Sequence, residues 1–136
     1  MDIDQVLGDV CAHGAKYVDF FYDNYDHDRA KLLQLFGRDS QIVFDGQIVK
    51  NDDQVQDKIG QFLQQLPTST HVRTTLDCQP LFDPEGNYRG IHATVSGTIT
   101  FHGEMEKSFI ETIILVRSDE QNYYINTVIF RSAENL

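Results

Sequence analysis

Apolar residues fall at helical spacing through the first part of the chain and then switch to every second position. From Leu7 they recur at Val10, Cys11, Gly14, Val18, Phe21, Tyr22 and Tyr25, one stripe of a long amphipathic helix with Asp4 as its expected N-cap. A second helix is predicted from about Asp28, carrying Leu32, Leu35 and Phe36 and stopping at Gly37, a residue suited to the left-handed position after a helix end. A third begins after Asn51, where Asp52, Asp53 and Gln54 resemble a capping box, and Val55, Ile59, Phe62, Leu63 and Leu66 keep the spacing as far as Pro67. Between the second and third helices, Ile42-Val43-Phe44 and Ile48-Val49 flank Asp45-Gly46, a turn pair that predicts a short β-hairpin.

After Pro67 the period is two. Thr70 to Gln79, Tyr88 to His102, Met105 to Ser118 and Tyr123 to Ser132 read as four long strands with short connections, which implies an antiparallel meander. The expected architecture is a single α+β domain over residues 1–136, three helices of the N-terminal half packed on one face of a curved antiparallel sheet. Along the strand from Tyr88, Ile91, Ala93, Val95, Ile99 and Phe101 point one way, toward the helices. His92, Thr94, Ser96, Thr98, Thr100 and His102 point the other. In the next strand Phe109, Ile113 and Leu115 alternate with Ile110, Ile114 and Val116, so both faces are apolar. The last strand repeats this, with Ile125 and Ile129 on one side and Val128 and Phe130 on the other. Three helices cover one face only, so the second face, mixed apolar and Thr-rich, reads as a surface for a partner.

Charge narrows the class of partner. Eleven Lys and Arg against 21 Asp and Glu leave a formal charge of −10, a field that repels phosphate backbones and anionic lipid surfaces. Direct nucleic-acid or membrane binding is therefore not expected. The chain contains no 18-residue apolar run, and the start Met-Asp-Ile-Asp-Gln lacks the basic and apolar segments of a signal peptide. The two cysteines, Cys11 and Cys78, form no Cys-x-x-Cys and have no His at metal spacing, so both are expected to be buried free thiols in a reducing compartment.

Several short motifs in the order of these elements carry a family likeness: Phe44-Asp45-Gly46 in the early hairpin, Asp77-Cys78-Gln79-Pro80 closing a strand, Gly97 at mid-strand and Phe130-Arg131 near the end. Together they resemble the nuclear transport factor 2 fold. Leu66-Pro67-Thr68-Ser69 and Asp77-Cys78-Gln79-Pro80 resemble more specifically its export-protein branch, the small subunit that pairs with TAP/NXF-type mRNA export receptors. The resemblance implies a non-enzymatic adaptor of the nucleus, cytoplasm and nuclear pore. Its sheet would pack against the similar domain of a receptor, and the heterodimer would take phenylalanine-glycine nucleoporin repeats largely on the receptor's side. Carried over by position, the partner face holds Thr94, Ser96, Thr98, Ile110, Thr112, Ile114, Ile129 and Arg131. Alternation alone already places the residues of the first two strands there, whereas the side given to Ile129 and Arg131 follows from the resemblance. The branch that carries the GTPase Ran as a homodimer has a Trp-Glu pair where this chain has Phe44-Asp45, and two acids near His102 and Glu104, which argues against Ran carriage.

The same fold hosts isomerases and dehydratases, so catalysis needs its own test. Alternation aims Glu111 at the helix side, with Tyr17 and Asp77 as conceivable partners for a general base, but the favoured reading is a carboxylate satisfied by a Tyr hydroxyl or a backbone amide. No cofactor or metal is expected. His92 and His102 lie on one strand roughly 33 Å apart at ~3.3 Å per residue. Asp23, Asn24, Asp26 and Asp28 lack the Gly and distal Glu of a calcium loop and read as capping and turn residues. Arg131, following an alternating apolar run, is suited to a bidentate contact with a partner's carboxylate.

Overall fold

A computed structural model describes residues 2–52, 57–119 and 121–133. Helix α1 spans Ile3–His27, a 3-10 helix follows over Arg29–Leu35, and strands β1 (Phe36–Phe44) and β2 (Gln47–Lys50) form the hairpin. Helix α2 covers Lys58–Gln65, and β3 (Ser69–Phe82), β4 (Tyr88–Phe101), β5 (Lys107–Arg117) and β6 (Tyr123–Ser132) complete one sheet in the order β2-β1-β6-β5-β4-β3. All pairings are antiparallel except β1 with β6, which run parallel and so join the hairpin to the meander.

The buried stripe of α1 (Val6, Val10, Gly14, Val18, Phe21, Tyr22, Tyr25) lies against the inner face of the sheet. That face supplies Ile91, Ala93, Val95, Ile99, Phe109, Ile113, Leu115, Val128 and Phe130. Two glycines of β4 let the sheet curve around the helix. A methyl at Gly97 would collide with the Val72 carbonyl, next to the bulge where β3 slips a residue between Arg73 and Thr75, and one at Gly90 would collide with the Leu115 carbonyl.

Several local expectations are corrected. The N-cap of α1 is Asp2 rather than Asp4: its carboxylate accepts from the Gln5 amide at 2.9 Å while the Gln5 side chain accepts from the Asp2 amide. The second helix is a 3-10 segment that ends before Phe36, and Phe36 and Gly37 open β1. Its first residue, Arg29, is drawn away from solvent to bond the carbonyls of Tyr25, Leu63, Leu66 and Pro67 and the hydroxyl of Ser69. This one side chain clamps the end of α1 to the α2–β3 connection. The expected cap and start of the third helix, Asp53, Gln54 and Val55, lie outside the described residues. In the hairpin turn both Asp45 and Gly46 have positive φ, 46° and 89°, the primed geometry that matches strand twist. Of the two thiols, Cys11 is exposed rather than buried, and Cys78 is half-buried against Gly14.

Candidate partner-binding face

Among the described residues no helix lies over the outer face of the sheet, and cross-strand register arranges it in rungs. Thr75, Ser96, Ile110 and Arg131 form one rung across four strands, and Asp77, Thr94, Thr112 and Ile129 form the next. Gln79, His92, Ile114 and Thr127 make a third, and Thr98 lies beside Val72 and Ser108. All eight residues expected on the partner face therefore share one surface, with adjacent strands ~4.8 Å apart. Ile110 and Ile129 are 42% and 38% exposed, while Thr94, Ser96, Thr98, Thr112 and Ile114 are half-buried by their neighbours. The Thr75 and Ser96 hydroxyls bond each other, which satisfies polar groups within the surface and leaves Ile110, Ile129 and, beside Thr98, Val72 among its uncovered apolar side chains. Arg131 is exposed, and among the described residues no carboxylate lies within ion-pair distance of it.

The register corrects one expectation. Ile114 stands opposite Thr127 but Leu115 stands opposite Ile125, so Asn126 is an extra residue in β6. The bulge reverses the alternation at that point. Ile125 joins Val128 and Phe130 in the core, and Ile129 and Arg131 face outward with Ile110 and Thr112.

The inner face holds the polar groups a catalytic reading would need, and they are paired with one another. Tyr22 donates to Glu111 at 2.7 Å, and Glu111 is only 3% exposed. Burial pushes its carboxyl up to about 8, against the lowering effect of the Tyr22 hydrogen bond. The expected partners do not meet it. Tyr17 accepts from the Tyr123 amide, and Asp77 lies in a rung with Thr94 on the opposite face. Glu111 lines none of the five main clefts of the described surface. Beside this pair, Asp26 accepts from the Ser69 hydroxyl at 2.7 Å, the His71 amide at 2.8 Å and His71 Nδ1 at 2.7 Å. Burial works to raise the Asp26 carboxyl, but these bonds prevail and hold it below the ordinary carboxylate range. The His71 ring is enclosed by Tyr22, Tyr25 and Phe109 at 4.8, 4.8 and 5.4 Å. Neither the sequence motifs nor the strand periodicity pointed to this Asp26–His71 pair. His92 and His102 stand apart, His92 on the outer face and His102 in the β4–β5 turn, with Asp23 and Asp28 in solvent.

Near the hairpin, Asp45 accepts from the Ser132 amide at 2.8 Å and its hydroxyl at 3.0 Å, and Phe44 stacks on Phe130 at 4.6 Å. The carboxylate is thus engaged in closing β1 onto β6.

The sequence pattern of the Nuclear transport factor 2 (NTF2) domain matches residues 13–132, nearly the whole chain. The chain belongs to this family. A similar curated protein is an NTF2-related export protein of Caenorhabditis elegans, 29% identical over 127 residues, covering 85% of this chain and 88% of the relative. Nuclear transport factor 2 of Cryptosporidium parvum has the same fold, with a TM-score of 0.76 at 20% identity over 90% of this NTF2-domain chain and 94% of that one. The fold also recurs in the Candida albicans complex of Mtr2 with the Mex67 M domain, with a TM-score of 0.67 at 14% identity over 89% and 93%.

Proposed function

We propose that the chain is a non-enzymatic adaptor that heterodimerises through the outer face of its sheet with an NXF-type receptor and so supports nuclear export of mRNA. The observation that carries this reading is the uncovered strip of Ile110, Ile129 and Arg131. Two exposed isoleucines beside an arginine that has no counter-ion among the described residues suit a desolvated centre flanked by a charge pair, the arrangement that dominates binding in protein interfaces. Thr94, Ser96, Thr98, Thr112 and Ile114 surround that centre and supply shape and hydrogen bonding. The relative named as an export protein and the fold shared with the Mtr2–Mex67 complex support the same reading. In this role the receptor provides the RNA contacts, consistent with a charge of −10, and the heterodimer meets the phenylalanine-glycine repeats of pore proteins while shuttling between nucleus and cytoplasm.

The pocket-enzyme reading has no geometric support, since Glu111 is sealed and hydrogen-bonded to Tyr22. Ran carriage is disfavoured because the Asp45 carboxylate is held by Ser132. The test is co-purification of the tagged chain from nuclear extract, followed by reconstitution with the receptor's own NTF2-like domain. Recovery of an NXF-type receptor in a one-to-one complex is the expected result. A stable homodimer that binds Ran and leaves such a receptor in the flow-through would overturn it.

A further inference from the structure

The roomiest of the five clefts lies on the α1 side of the sheet, away from the outer face. About 380 Å³ in volume, it opens between the start of α1 and the β3–β4 turn and is lined by Val6, Phe82, Tyr88, Arg89 and Arg117 among others. A volume of that order is enough for a side chain or a small ligand. Its chemistry is the reverse of the rest of the molecule, basic where the chain as a whole carries −10.

The two arginines differ. Arg89 is already neutralised, its Nε donating to Asp83 at 2.9 Å. Arg117 is not. Its guanidinium lies 5.0 Å over the Tyr88 ring, its Nε is buried without an acceptor, and among the described residues no oxygen takes a hydrogen bond from it. The acids nearby take their hydrogen bonds from other groups. Asp83 accepts from the Glu85 and Asn87 amides as well as Arg89. Asp119 accepts from the Gln121 and Asn122 amides, and Asp9 from Tyr123 at 2.7 Å while pairing with His13 at 2.9 Å. That last chain also fixes the floor of the cleft. Tyr88 and Tyr123 share a hydrogen bond of 2.8 Å, Tyr123 is anchored on Asp9, and the ring that carries Arg117 is therefore held before any ligand arrives.

A half-buried guanidinium on a rigid aromatic floor, with its fork unpaired, suits a planar carboxylate. A phosphate group is less suited: only one cation of the lining is without an ion-pair partner among the described residues, and the field of the chain opposes a dianion. The rim indicates what carries the carboxylate. Phe82, the exposed apolar member of the lining, is 47% exposed. A free small anion would leave this apolar ledge wet. We propose that the cleft binds an acidic, aromatic-bearing peptide segment of a protein partner, the carboxylate seated on Arg117 and the neighbouring apolar side chain on Phe82. The proposal is independent of the heterodimer, because the outer face plays no part in it.

The test is an amide-resolved NMR titration of the isotopically labelled chain with the peptide acetyl-Phe-Glu-Phe-Glu-amide, up to about 5 mM, sufficient to detect a Kd near 1 mM. Saturable shifts are expected at Tyr88, Arg89 and Arg117 and at the Arg117 Nε–H, with none from the matching Phe-Gln-Phe-Gln peptide. Arg117→Gln should weaken the response at least ~10-fold, since it removes a charge-assisted pair. Arg117→Lys, which keeps the charge and loses the fork, should recover little. Absence of saturable shifts with the Glu peptide would overturn the proposal. So would equal shifts with the Gln peptide, which would reduce the site to apolar contact, or equal shifts with inorganic phosphate, which would make it a general anion hole. The comparison of the two peptides on the wild-type chain decides the matter even if a variant folds poorly.

Discussion

Strand β5 presents two faces built from nearly the same alphabet and treated in opposite ways. Inward, Phe109, Glu111, Ile113 and Leu115 are buried, and the one carboxylate among them is enclosed and bonded to Tyr22. Outward, Ile110, Thr112, Ile114 and Val116 are covered by no helix of the described residues, and Ile110 is exposed. A carboxyl group inside and isoleucines outside is the reverse of what a half-buried antiparallel strand requires for its own stability. The inner face is complete within this chain. On the proposed function the outer face is completed by a partner, so the two should respond to substitution in different currencies: stability on one side, association on the other.

The sharpest way to break that comparison uses two neighbours on β6. Val128 is buried opposite Ile113, and Ile129, one residue on, is outward opposite Thr112. Val128→Glu puts an unpaired carboxylate in the core and should cost of order 5 kcal/mol, enough to unfold a domain of ordinary stability. Ile129→Glu should leave the circular dichroism spectrum and melting temperature near wild type, while binding to an NXF-type receptor domain falls at least ~100-fold. Equal melting losses for the two variants, or full binding by a folded Ile129→Glu protein, would remove the distinction between the faces.

Arg131 comes next. If it meets a carboxylate within the interface, Arg131→Ala should cost about 2–5 kcal/mol of binding, mostly as faster dissociation, because the partner's acid is left in a desolvated site. Arg131→Asp should be worse, and a receptor with that acid changed to Arg should recover part of the loss. An arginine that stays in solvent would give about 0–1 kcal/mol and no rescue. Surface plasmon resonance on the four combinations separates these outcomes.

How far these faces can be read from sequence depends on whether their signals are local. The period-two runs of β4 and β5 assign every residue correctly, because nothing interrupts the pleat on which alternation rests. In β6 the period alone misplaces Ile125 beside Ile129: Asn126 is a bulge, and one inserted residue exchanges the faces on either side of it. The family resemblance placed Ile129 and Arg131 on the outer face where periodicity could not. The parallel pairing of β1 with β6 has no local signature either, since it joins residues some 85 positions apart, such as Ser40 and Ile125 through the Ser40 hydroxyl. Leu32 and Leu35 gave the right buried side for the segment after α1, but its tight 3-10 winding accompanies the Arg29 clamp to carbonyls of α2 and its connection, a contact made only in the folded chain. Arg117 was unmarked for the same reason. That a strand-end arginine lacks an acceptor emerges only once Asp83, Asp119 and Asp9 are seen bonded elsewhere.

The smallest expected effect concerns the acid inside the complete face. In the folded chain burial raises the Glu111 carboxyl to about 8 from its ordinary 4.5, so between those values the folded state retains a proton that the unfolded state has released. Stability therefore falls as pH rises through that window, with a limiting slope of about 1.4 kcal/mol per pH unit for one proton, and its full contribution is present only below pH 4.5. Asp26 acts in the opposite sense and elsewhere: its lowered carboxyl adds stability that is lost only as pH falls below the ordinary carboxylate range. The informative quantity is the difference between wild type and Glu111→Gln, which keeps an oxygen for the Tyr22 hydroxyl and cannot ionise. Urea unfolding at pH 5, 6, 7 and 8 should show the variant gaining on wild type at each step upward. Parallel pH profiles for the two proteins would mean that Glu111 ionises in the fold as it does in water, and the inner face would then be wetter than its burial implies.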